Sequence, residues 1–183
     1  MNKLLACTEH YYGQLVRGLS GLGPVVLLLF RVWVALAFWR AGVVKIEDPS
    51  GTVFLFNNEY HVPLLSGDTA AFLGTWIELI TPWFLLLGLG GRLTAAFLFV
   101  YNLVAVISYP DLWPHGFWTG LIGSDFNDHK IWAMMLLAVI TWGPGALSID
   151  RWLARLWPNT GRPRRIGPGE RVVQGAMPPR HGF

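Results

Sequence analysis

Four apolar windows, at residues 24–44, 69–89, 92–109 and 130–148, constrain this chain more than anything else in it. Each is 18 to 21 residues long, near the ~20 residues that carry an α-helix across a ~30 Å hydrocarbon core. A soluble protein with four buried helices needs a polar stripe on each to meet water, and these windows have none. Composition agrees. Of 183 residues, 53% are hydrophobic and only 14% charged, whereas soluble domains carry roughly a quarter charged residues. The expected fold class is all-α: an antiparallel bundle of four transmembrane helices.

The N-terminus, MNKLLACTEHYYGQLVRG, is mixed-polar, and no small-residue cleavage pattern comes after the first apolar run. The first span is therefore expected to stay in the mature protein. Cys7 is the single cysteine, which excludes an intramolecular disulfide and the chemistry of paired thiols. Lys and Arg near span ends set orientation. Arg17, Arg92, Arg151, Arg155, Arg162, Arg164 and Arg165 fall on one side, against Lys45 and Lys130 on the other. Both termini are thus expected in the cytoplasm, and the connections 45–68 and 110–129 outside.

The net charge of +3 results from this topology and gives no reason to expect nucleic acid as a partner. The chain divides into a cytoplasmic extension (1–23), a membrane domain (24–153) and a basic tail (154–183). RWLARLWP can lie along the bilayer surface with its tryptophans down and its arginines toward anionic headgroups. The remainder of the tail is rich in Pro, Gly and Arg and reads as disordered.

Helical spacing assigns faces. Arg31, Ala35, Phe38, Gly42 and Lys45 share one stripe. Arg40 is on the opposite face near the helix end, where it can snorkel to headgroups. Arg31, deeper and flanked by small residues, is expected to face the bundle. Gly91, Ala95, Leu98, Asn102 and Ala105 form a second stripe. Its amide is costly in hydrocarbon without a partner. Asp128 is expected to cap the fourth helix.

The stretch TWIELITPWF puts Glu78 in the middle of a span. Pro82, four residues on, has no N–H and frees the Glu78 carbonyl, and Thr75 and Thr81 lie within a turn. The expected structural partner is Arg31, in a buried ion pair, with Asn102 as interhelical glue. The rival is a protonated, unpaired Glu78, because burial disfavours a charged carboxylate. Either way an intramembrane carboxyl marks a candidate site. His61, His115 and His129 gather on the outer side without metal-ligand spacing, so no metal is expected. FLF at 54–56, with Tyr60, His61 and Pro63, suggests that the first outer loop folds back onto the bundle, and YPDLWPHGFWTGLIG the second.

RVWVALAFWRAGVVKI, EYHVPLL at 59–65, Glu78 with LLLGLGGRLTA, NLVAVISYPDL, and DHKIWA…GPGALSID resemble the DoxX family of small bacterial membrane proteins over roughly residues 25–153. The resemblance implies a four-helix bundle in a bacterial inner membrane and a loose redox association, since some relatives are subunits of a thiosulfate:quinone oxidoreductase. It leaves two readings. In one, the chain is the membrane subunit of a quinone-linked redox system: Glu78 carries protons, Arg31, Asn102 and Lys45 contact the quinone or substrate, and a partner enzyme delivers electrons because the chain lacks a covalently bound centre. In the other it is a non-catalytic membrane anchor or small transport component. A homo-oligomer is compatible with both.

Overall fold

The computed structural model of the chain describes residues 2–156. Most of the tail expected over 154–183 lies outside the described residues. Among the described residues the chain is all-helical: α1 (Asn2–Ser20), α2 (Gly23–Glu47), α3 (Pro49–Asn58), α4 (Gly67–Leu87), α5 (Gly91–Ser108), α6 (Phe117–Ile122), α7 (Asn127–Trp142) and α8 (Ile149–Leu156), with a single 3-10 turn at Pro110–Leu112. α2 packs on α4 and α7, and α5 also packs on α4 and α7, so these four helices close into a ring. α1 occupies the mixed-polar extension and leads into α2 through a turn at residues 21–22.

Local chemistry sets the helix ends. Pro24 opens α2, where a missing N–H costs nothing. Asp48 caps α3 by accepting the Gly51 N–H at 2.9 Å and the Ser50 hydroxyl at 2.9 Å. Ser66 caps α4 through the Thr69 N–H. α4 runs unbroken through Pro82 and ends where Gly88 turns left-handed, at φ 66°, a conformation glycine adopts without a Cβ penalty.

α4 and α5, with the stretch His10–Glu47, are long and apolar enough to cross a membrane. Their outward faces carry Leu29, Trp33, Phe72, Trp83, Leu93 and Val100, all exposed. Between lipid-facing helices no hydrophobic force remains, so close van der Waals packing at small residues holds them together. Gly42 does this for α2 and α4: a Cβ there would sit 3.0 Å from the backbone of Glu78 and of Leu79. Val34, Phe38, Leu85, Leu98, Leu136 and Val139 form the bundle core.

The fourth window departs from expectation. In place of a helix through 130–148, α7 starts at Asn127 and stops at Trp142, because Gly143 adopts φ 83°. At 16 residues it is ~24 Å long. Its N-cap is Phe126, in a left-handed conformation and without a side-chain cap, while Asp128 lies in the first turn. Residues 143–148 then run as irregular backbone. Pro144 fills the space a Cβ would need at Gly91, and Arg31 and Ser148 do so at Gly88.

Both connections fold back as expected. α3 lies on α4, with Phe56 packed on Ala70 and Ala71. In the other connection, Trp113 Nε1 donates to the Val106 carbonyl at 2.9 Å. Lys130 Nζ donates to the Gly120 carbonyl at 3.1 Å and the Gly123 carbonyl at 2.7 Å, closing the C-terminal end of α6.

Candidate functional site

Arg31 and Glu78 are both buried and face the bundle, yet they do not meet. The expected ion pair is replaced by two separate arrangements at different depths. Glu78 Oε2 pairs with Lys45 Nζ at 2.6 Å, and Glu78 Oε1 accepts the Tyr101 hydroxyl at 2.8 Å. Arg31 is fully enclosed, nearer the other end of α2. Its guanidinium donates to the Leu86 carbonyl at 3.2 Å and to the Leu147 carbonyl.

Helix geometry explains both. Every Cα–Cβ bond leans toward the N-terminus of its own helix, and α2 and α4 are antiparallel. Lys45, near the C-terminal end of α2, therefore leans back into the bundle, while Glu78 leans out toward it. Arg31 leans the other way, toward the end of α4. There the last carbonyls have no helical partner, and the irregular backbone at 143–148 lies outside any helical ladder. Arg31 supplies both. Asp150 completes this end: its two carboxylate oxygens accept the Gly90 and Gly91 N–H groups at 2.8 Å each, and its own N–H donates to the Gly88 carbonyl. A carboxylate at the exposed amides of the α5 N-terminus is favoured by hydrogen bonding and dipole alike.

The Lys45–Glu78–Tyr101 chain borders a cavity of about 400 Å³ between α2, α4, α5 and α7. Its walls are mostly apolar, with Phe38, Phe56, Ile77 and Trp132 among them. That size and character, apolar walls with few convergent polar groups, suits a small organic ligand. The segment after α3 covers one side. His61 N–H donates to the Ser108 carbonyl at 2.7 Å, and the Tyr60 ring meets Phe56 and Tyr109 edge-on, with centroids 4.7 and 4.6 Å away. Burial raises the Tyr60 phenol above its ordinary range, and neighbouring Tyr109 and Glu78 add to the effect. Tyr60 therefore remains a neutral hydroxyl.

Of the sequence-predicted residues, Glu78 and Lys45 come together at the cavity, and Arg31 and Asn102 are not among its lining. Asn102 is engaged with α7: its Nδ2 donates to the His129 carbonyl at 3.0 Å, and its Oδ1 lies 2.8 Å from His129 Nδ1. An amide oxygen can only accept, so His129 Nδ1 carries the proton. The Thr75 hydroxyl bonds back to the Ala71 carbonyl and does not serve Glu78. Tyr101, Ser108 and His129 also line the cavity, and nothing in the sequence pattern singled them out for it. Tyr101, Ala105 and Ser108 repeat at helical spacing on the face beside Asn102, and that repeat was the available signal. Among the described residues, no three His, Cys, Asp or Glu side chains gather as a metal site.

No curated protein and no solved structure matched the chain. A family model did, over residues 26–111, a shorter reach than the resemblance drawn over 25–153 and one that stops before α7. Those matched residues contain the whole Lys45–Glu78–Tyr101 chain and most of α2, α4 and α5. With its long apolar helices, this is a membrane protein whose residues 26–111 match the DoxX family model.

Proposed function

We propose that the protein is the membrane subunit of a quinone-linked redox system and that the cavity holds the quinone ring. The observation that carries this reading is a carboxylate–ammonium–phenol chain facing an apolar cavity of about 400 Å³. The residues present fit such a ring: flat aromatic walls in Phe38 and Trp132, and N–H donors in Lys45. A bound quinone would supply the capacity to accept electrons and protons, with electrons coming from a partner oxidoreductase. Lys45 uses one N–H on Glu78 and has others to offer a carbonyl oxygen. Glu78 holds a proton route through the Tyr101 hydroxyl, and the apolar walls keep bulk water from competing.

In this reading α7 is the fourth span. Residues 143–148 extend its reach, their backbone paired internally through Arg31 as membrane depth demands. Both termini lie in the cytoplasm of a bacterium, consistent with the Lys/Arg asymmetry. One observation favours the non-catalytic anchor instead: both Glu78 oxygens are already paired within the protein. Titrating a short-chain ubiquinone analogue into the full chain in mild detergent, with tryptophan fluorescence as readout, separates the two. The redox reading expects saturable quenching that Lys45→Met and Glu78→Gln weaken. Unsaturable quenching, equal in all three proteins, supports the anchor.

A further inference from the structure

The end of the bundle away from the cavity is cationic and partly uncovered. α8 places Ile149, Trp152, Leu153 and Leu156 on one stripe at helical spacing, with Arg151 and Arg155 on the opposite side. Trp152, Leu153 and Leu156 are all exposed. Both arginines are exposed too, and neither pairs with a carboxylate among the described residues. An uncovered apolar stripe backed by cations, at the end of lipid-facing helices, has the form of a helix that lies in the membrane interface.

The fold brings a third arginine to this end, one that is distant in sequence. Asp150 accepts the Gly90 and Gly91 N–H groups at 2.8 Å each, and its own N–H donates to the Gly88 carbonyl. These bonds fix the start of α8 against the start of α5. Arg92 follows Gly91 and Arg151 follows Asp150, so the two flank one pinned junction. The Arg92 guanidinium lies along the end of α7: a Cβ built on Gly143 would sit 3.2 Å from its Nε. Arg92 is exposed, and it too has no carboxylate partner among the described residues. Large apolar side chains stand next to it. Leu93 is 81% exposed, and Trp142, which precedes Gly143, is 74% exposed. Asp150 is committed to the amides. The other carboxylates of residues 24–156 belong to the far end of the bundle or, in Glu78, to its interior.

We infer that this end of the bundle is a docking surface for anionic phospholipid. Arg92 and Arg151 meet the headgroup phosphates, with Arg155 one turn further along α8, while Leu93, Trp142 and the apolar stripe of α8 meet the acyl chains. Guanidinium forks match phosphate oxygens, and tryptophan at a span end suits the headgroup layer. A zwitterionic headgroup brings its own cation and leaves the arginines uncompensated, so the surface selects a lipid of net negative charge. The inference does not depend on what occupies the cavity.

The test titrates the full chain in mild detergent with short-chain phosphatidylglycerol, with phosphatidylcholine of the same chain length, and with inorganic phosphate, reading the melting temperature. Phosphatidylglycerol should raise it saturably, and the other two should not. The double variant Arg92→Gln, Arg151→Gln should weaken the apparent dissociation constant for phosphatidylglycerol about thirtyfold. Without added anionic lipid it should melt with the parent, because neither guanidinium is paired within the protein. Arg40→Gln, toward the far end of α2, should keep the response, and so should a variant with Arg162, Arg164 and Arg165 all changed to Gln. An equal response to phosphatidylcholine overturns the inference, and a response to inorganic phosphate reduces the surface to a simple anion site, which also overturns it. Loss of the response in the Arg40 or tail variant, or its persistence in the double variant, places the lipid elsewhere and contradicts the assignment. A double variant that melts several degrees lower without anionic lipid contradicts it as well, since the arginines would then serve the fold.

Discussion

Lys45 Nζ and Glu78 Oε2 lie 2.6 Å apart across the α2–α4 seam, with side chains 19% and 8% exposed. So little solvent is left that neither charge can be relieved by water alone. Removing one partner should leave the other stranded, at a cost of ~3–5 kcal/mol. Lys45→Met and Glu78→Gln are each expected to lower stability in detergent by that order, and the double variant to recover much of it. Strictly additive losses would show that the two side chains do not interact.

Arg31 has a different task. It joins the end of α4 to the irregular backbone at 143–148. Arg31→Gln leaves two carbonyls without their donor, at ~1–3 kcal/mol apiece, and should open residues 143–150 to limited proteolysis. Combined with Glu78→Gln its effect should be additive, since the two share no partner. Coupling between them would restore the direct ion pair that the sequence suggests.

Gly42 sets how closely α2 approaches α4. Gly42→Leu must drive atoms into the Glu78–Leu79 backbone and should destabilise by ~1–3 kcal/mol or more. Substitution at Leu36, 44% exposed on the outer face, should be nearly neutral. Equal melting temperatures for the two variants would place α2 differently.

Asp150 holds the α4–α5 turn through the Gly90 and Gly91 amides. Asp150→Ala removes both acceptors and should cost ~0.5–2 kcal/mol, as loss of a helix cap does. Hydrogen exchange at those two amides should rise while exchange in mid-α5 is unchanged. Unaltered protection at residues 90 and 91 would contradict the capping role.

How much of this was legible in the sequence depends on the range of the interaction. The apolar windows gave the helices, and the small-residue stripes through Gly42 and Ala95 gave the buried faces, because both are periodic properties of one segment. Pairing was not legible at this level. Arg31 and Lys45 share a stripe, and which one meets Glu78 depends on the opposite lean of side chains on antiparallel helices and on the depth at which α2 and α4 register. The end of α7 was hidden because an apolar count runs straight through Gly143, whose backbone conformation stops the helix. Tyr101, Ala105 and Ser108 share a face by helical spacing, but that this face borders a cavity is visible only once every neighbour is placed.

The most direct measurement of the central claim, that the Lys45–Glu78–Tyr101 cavity receives a quinone, is photolabelling of the full chain with an azidoquinone, mapped by mass spectrometry. The label is expected on cavity-lining peptides of α4 and α5, around Leu73–Glu78 and Tyr101–Ser108, and an excess of unlabelled quinone should suppress it. Label spread over exposed outward residues such as Phe72, Trp83 and Leu93, undiminished by competitor, would contradict the account.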